Sequence, residues 1–206
     1  MPDAPGERNP RKVDAKRTIY TFASLHEAGR HALRDGAARS QGSFYEWMTA
    51  SVFAAFALEA YMNYLGSQRL KCWKEHERLP WRARLALLLE DLNQSPDFSL
   101  RPFQTVVEMF RVRDLLAHGR TERVENTGVQ KLLPGERPHY LQARWESQCT
   151  EETAIRFMDD ARAVIVQLHE WAGLDTTLLF VLGEGGSTTS AINTAGEDER
   201  SGKDIV

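Results

Sequence analysis

The sequence predicts an all-α protein: an up-and-down helical bundle of four to five helices with a small β-hairpin insert. Three observations lead there. Apolar residues recur at helical spacing through most of residues 18–182, the rhythm that sets one stripe of a helix against a core. One segment, SFYEWMTASVFAAFALEAYMNYLGSQRL, is apolar on nearly every side and suits a central helix. Only a stretch at about 121–147 breaks the rhythm, with short alternating segments around the turn signal LPGERP.

Each element has its own signal. Residues 1–17 are rich in Pro and charge and read as a disordered N-terminal tail. A first helix is expected from about Ser24 to Ser40, with Leu25, Ala28, Ala32 and Leu33 on one side and Arg30, Arg34 and Arg39 on others. Ser43 is the expected N-cap of the central helix. There Phe44, Trp47, Met48, Val52, Phe53, Phe56, Leu58, Tyr61 and Leu65 leave little polar surface. A third helix takes in WRARLALLLEDL, announced by Pro80. A fourth begins near Pro102 and runs into FRVRDLLAHGR. The fifth spans Thr150 to Trp171, with Thr150 as N-cap and Glu151 and Glu152 at its positive end. LDTTLLFVL fits a short strand or a last helical turn. Residues 183–206 are rich in Gly, Ser and Thr and read as a disordered C-terminal tail.

Composition bounds the function. The formal net charge is −3, so nucleic-acid binding would need a local basic patch rather than a global field. Cys72 and Cys149 lie far apart without a CxxC spacing, which suits a reducing compartment and indicates neither zinc nor a disulfide framework. There is no secretory h-region and no apolar run near the ~18 residues of a membrane span. A soluble, cytoplasmic protein is expected. His26, His31, His76, His139 and His169 have no metal-like spacing, and Ser43 and Ser51 lack a nucleophile elbow. No metal and no cofactor are expected.

FRVRDLLAHGR carries the candidate site. Phe103, Val106, Val107, Phe110 and Ala117 make a buried stripe, and Arg113 and Asp114 stand where it calls for apolar residues. Burying that ion pair would cost several kcal/mol per ion before compensation, so the pair is expected at a partner subunit or in a wet cleft. His118 follows Asp114 by four residues, close enough for the carboxylate to orient the imidazole. Arg113 and His118 are about 140° apart on an ideal helix. Their convergence needs an unwound helix end at His118-Gly119 or a second copy of the helix. A symmetric dimer supplies the latter. Gly119 and His118 also suit an ordinary helix C-terminus.

Two further features accompany the site. Glu59 and Asn63 lie one turn apart on the apolar second helix; they either hydrogen-bond the Arg113/Asp114 region or satisfy backbone at a helix crossing. Gln68–Arg84, with Lys71, Lys74, Arg78, Arg82 and Arg84 beside Trp73 and Trp81, has two readings. It is a strip for tracking RNA and stacking bases, or a solvated connector whose two Trp pack inward.

Arg113-Asp114-Leu115-Leu116-Ala117-His118, closing a helix in an all-helical chain, resembles the Arg-x4-His motif of HEPN domains (higher eukaryote and prokaryote nucleotide-binding). Asp114 fits the polar residue usual after the Arg. Leu58-Glu59-Ala60-Tyr61-Met62-Asn63 resembles the long preceding helix of related bacterial proteins. The resemblance covers about residues 20–173 and implies a bundle that dimerises through the motif face. It also implies a metal-independent ribonuclease of toxin–antitoxin or anti-phage defence systems, or a relative that binds nucleotides or a partner protein without cleaving. In such an enzyme Arg113 and His118 are catalytic, with Asp114 supporting, either by holding His118 in one tautomer or by anchoring Arg113. The 2′-OH of RNA attacks the adjacent phosphate, His118 serves as acid or base, and the Arg113 fork meets the phosphate oxygens.

Overall fold

The computed structural model describes residues 11–125 and 141–191. These form two compact units: a helical unit, residues 20–182, and a pair of strands flanking it in sequence. The protein is mainly α, with six helices and one small antiparallel sheet among the described residues.

The helical unit is organised on α2 (Phe44–Arg69), which packs against α1 (Thr21–Ala37), α3 (Trp73–His76), α4 (Trp81–Asp91), α5 (Phe103–Ala117) and α6 (Glu151–Trp171). A helix touched on so many sides must be apolar all round, and Ala50, Ala54, Leu58, Tyr61, Met62 and Leu65 are fully buried. Met109 and Phe110 of α5 and Phe157, Ile165 and Leu168 of α6 complete the core. Inside it the Tyr61 hydroxyl donates to Nδ1 of His169 at 2.9 Å, while Nε2 donates to the Asp175 carbonyl at 3.0 Å. Both ring nitrogens of a buried histidine are thereby satisfied. No helix of the described residues is long and apolar enough to cross a membrane.

The helix ends refine the expected boundaries. α1 starts at Thr21, ahead of Ser24, because Phe22 and Ala23 enter the core. Ser43 immediately precedes α2, yet its hydroxyl donates to the Gly36 carbonyl instead of capping that helix. Thr150 does cap α6, its Oγ1 accepting from the Thr153 N–H at 3.2 Å. Within LDTTLLFVL, Thr176–Leu178 form a single 3-10 turn, held by the Asp175 carboxylate on the Thr177 N–H and hydroxyl.

One expectation is corrected. Residues 11–17 and 183–191 were assigned to disordered tails, but β1 (Arg11–Ile19) and β2 (Gly183–Ala191) pair antiparallel from Arg11↔Ala191 to Ile19↔Gly183. Every β1 side chain is exposed, so the strand has no apolar face for a periodicity to reveal. Its stabilisation is the backbone ladder to a segment far away in sequence. The β-hairpin expected at about 121–147 falls mostly on residues 126–140, outside the described residues. The described parts of that insert, residues 121–125 and 141–147, contain no strand, and Glu146–Gln148 make a 3-10 turn. The LPGERP turn lies outside the described residues.

Tight packing and one buried titratable group yield two predictions. A Cβ on Gly66 would sit 2.3 Å from the buried Trp73 ring. Gly66→Ala should therefore destabilise by about 1–3 kcal/mol through overpacking, despite alanine's better helix propensity; a lowered thermal midpoint checks this. His26 is buried against Phe180 at a ring distance of 4.7 Å. Burial, and then Arg162 and Arg30, lowers its pKa to about 4. The unfolded chain then binds a proton that the folded chain refuses between the ordinary histidine value and pH 4. Stability should fall as pH drops through that window, by up to about 3 kcal/mol from this group. His26→Phe should flatten that component of denaturant-unfolding stability between pH 7 and pH 4.5.

Candidate functional site

α5 presents two faces with different chemistry. The inner face buries Val106, Met109 and Phe110. On the outer face Val107, Arg111, Asp114, Leu115 and His118 follow helical spacing and line an open cleft of about 1010 Å³. Residues from α4 and from the chain after α5 form its other walls.

Arg113 does not line that cleft. Nη2 donates to Glu59 Oε2 and Nη1 to Asp114 Oδ1, both at 2.8 Å, and the guanidinium lies 5.3 Å over the Phe110 ring. The other Glu59 oxygen accepts from Nη2 of Arg84. Nη1 of Arg84 donates to Asn63 Oδ1 at 2.8 Å. Arg84 is 4 % exposed and Arg113 17 % at the side chain, so Glu59 is the shared counter-ion of two largely desolvated cations. Such compensation is required for charges at that depth. The Nε atoms of Arg84 and Arg113 have no hydrogen-bond acceptor among the described residues. Of the two roles open for Glu59 and Asn63, the first holds in part: Glu59 contacts Arg113 directly, and Asn63 reaches it only through Arg84.

Asp114 serves Arg113 rather than His118. The His118 ring is exposed and has no hydrogen-bond partner among the described residues. Its backbone N–H still bonds the Asp114 carbonyl at 2.9 Å, with φ −111° and ψ 26°. The helix end does not unwind before His118, and within one chain the two motif residues part: His118 lines the cleft and Arg113 does not.

The basic strip divides in the same way. Lys71, Lys74, Arg78 and Arg82 are exposed. Arg84, nominated as an RNA contact, is buried in the Glu59–Asn63 pair; its place opposite two acceptors on α2 overrides its position in a basic run. Trp73 and Trp81 are 4 % and 9 % exposed. Trp81 stacks on Phe110 at 4.4 Å and carries Arg82 at 4.7 Å from its ring centroid. Neither indole offers a free face for bases.

Sequence reading missed four cleft arginines, Arg111, Arg120, Arg123 and Arg144. Arg111 lies seven residues before His118 and shares its stripe, a helical spacing that marks it in the sequence. Arg144 lies near the end of the insert, and no local spacing connects it to α5.

No family model, curated protein or solved structure matches the chain. What the site can do follows from its chemistry. An imidazole moves protons near neutral pH, and guanidinium forks bind phosphate. Among the described residues no three His, Cys, Asp or Glu are grouped as metal ligands. Burial, and then Glu146, pushes the Cys149 thiol up to about 11, away from nucleophilic use.

Removing the shared counter-ion should be costly. Glu59→Gln should destabilise by about 3 kcal/mol, because it leaves two partly buried guanidiniums facing each other's charge. Adding Arg84→Met should recover part of the loss; a double-mutant cycle of urea unfolding measures the coupling.

Proposed function

We propose that the chain is a metal-independent endoribonuclease of the HEPN type. In this reading it is an up-and-down bundle that acts as a cytoplasmic homodimer, a toxin or anti-phage defence effector with an antitoxin or defence-system partner. The observation that carries the reading is the exposed His118 imidazole in an arginine-bearing cleft, closing an Arg-x4-His helix. Arg113 and His118 of one chain face apart, so the composite site is formed by two copies of α5, each bringing one motif. The 2′-OH of RNA attacks the adjacent phosphorus, one His118 takes its proton, and the bond to the 5′ oxygen breaks. The second His118 protonates that leaving oxygen, giving 2′,3′-cyclic-phosphate and 5′-hydroxyl ends. Arg113, in this mechanism, turns from its carboxylates to the phosphate when RNA enters, while Glu59 and Asp114 keep it near the motif face.

A second reading is a non-catalytic HEPN-like module that binds and regulates a partner protein. It is favoured by one specific observation: two carboxylates already neutralise Arg113. The experiment is incubation of the purified chain with RNA in EDTA, with the ends of the products mapped. The nuclease reading expects cyclic-phosphate ends, lost in His118→Ala and Arg113→Ala by at least 100-fold in rate while both stay folded. Equal cutting by both variants overturns it. No cleavage by the wild-type chain, together with a stable complex with a co-expressed partner protein, supports the second reading.

A further inference from the structure

The cleft that His118 lines also gathers arginines that the motif does not include. Five arginines line it, Arg82, Arg111, Arg120, Arg123 and Arg144, against the carboxylates Asp114, Glu122 and Glu125. The excess is positive on a chain whose net charge is −3. The carboxylates are also already engaged. Asp114 pairs with Arg113, Glu125 with Arg123 at 2.5 Å, and Glu122 accepts the Arg144 backbone N–H at 3.2 Å. The guanidiniums of Arg111, Arg120 and Arg144 have no hydrogen-bond or ion-pair partner among the described residues. Such groups are ready to bind anions without first breaking a salt bridge.

We propose that Arg111, Arg120 and Arg144 bind the phosphodiester backbone of single-stranded RNA and lead it past His118. The proposal rests on the nuclease reading for its choice of ligand. Arg111 and His118 lie two helical turns apart, about 10 Å along α5, so a ligand following the stripe carries successive phosphates rather than one. Guanidinium forks match phosphate oxygens. With Trp81 buried under Arg82 and against Phe110, no aromatic platform contributes, and binding is through backbone charge without base preference. A single strand is required because in-line attack by the 2′-OH needs a backbone free to rotate, which a duplex lacks.

The test uses the cleavage-silent His118→Ala chain and fluorescein-labelled 12-nucleotide oligouridylate, with anisotropy measured across a salt series. Arg111→Gln with Arg144→Gln should weaken binding at least tenfold and reduce the salt slope by roughly 0.7 per lost phosphate contact. Both side chains are exposed, so thermal melts should be unchanged. Lys71→Gln with Lys74→Gln, on the outer strip, should leave the affinity within twofold. Oligoadenylate should bind like oligouridylate. Unchanged affinity in the double Arg variant overturns the track, as does equal competition by polyglutamate, which would make the cleft an acidic-peptide site. Cleavage assays separate the two readings. Specific RNA binding without cleavage by the wild-type chain sinks the nuclease and keeps the track. Cleavage whose KM ignores Arg111 and Arg144 sinks the track and keeps the nuclease.

Discussion

A helix as apolar as α2 holds Glu59 and Asn63 in its middle only because Arg84 and Arg113 arrive from α4 and α5 to meet them. That four-residue polar network joins the central helix to both helices that build the candidate site. Its physical requirement is severe: an unpaired charge at this depth costs several kcal/mol, whereas a shared counter-ion offsets two at once. The network also sets the rotation of α5, since Arg113 must face Glu59 while Phe110 stacks on Trp81.

Once α5 is locked in that rotation, its opposite stripe is committed to the cleft. Arg111, Asp114 and His118 follow from helical geometry alone. Asp114 stands at the boundary, bound to Arg113 yet lining the cleft. The same constraint separates Arg113 from His118 within one chain, so the proposed ribonuclease would need a second copy of α5 to bring them together.

Much of the helical unit was legible because its signals are local. Pro80, Thr150 and the all-round apolarity of α2 each mark an element through chemistry acting within a few residues. The β1–β2 sheet escaped because hydrogen bonding between separated backbones leaves no trace in an exposed, mixed-polarity strand. Arg84 escaped for a related reason: a basic run looks the same whether one of its members faces water or a buried carboxylate.

By itself, the sequence determined the helical class, the approximate helix limits, and the Arg113–His118 motif with its roughly 140° divergence, because spacing along a helix is a property of the chain. Only the tertiary structure decided what each charge faces. It paired Arg113 and Arg84 with Glu59, turned Asp114 to Arg113 rather than to His118, and brought Arg144 to the cleft beside Arg111. Those outcomes depend on which surfaces meet when helices pack, and desolvation then forces each buried charge to find its partner.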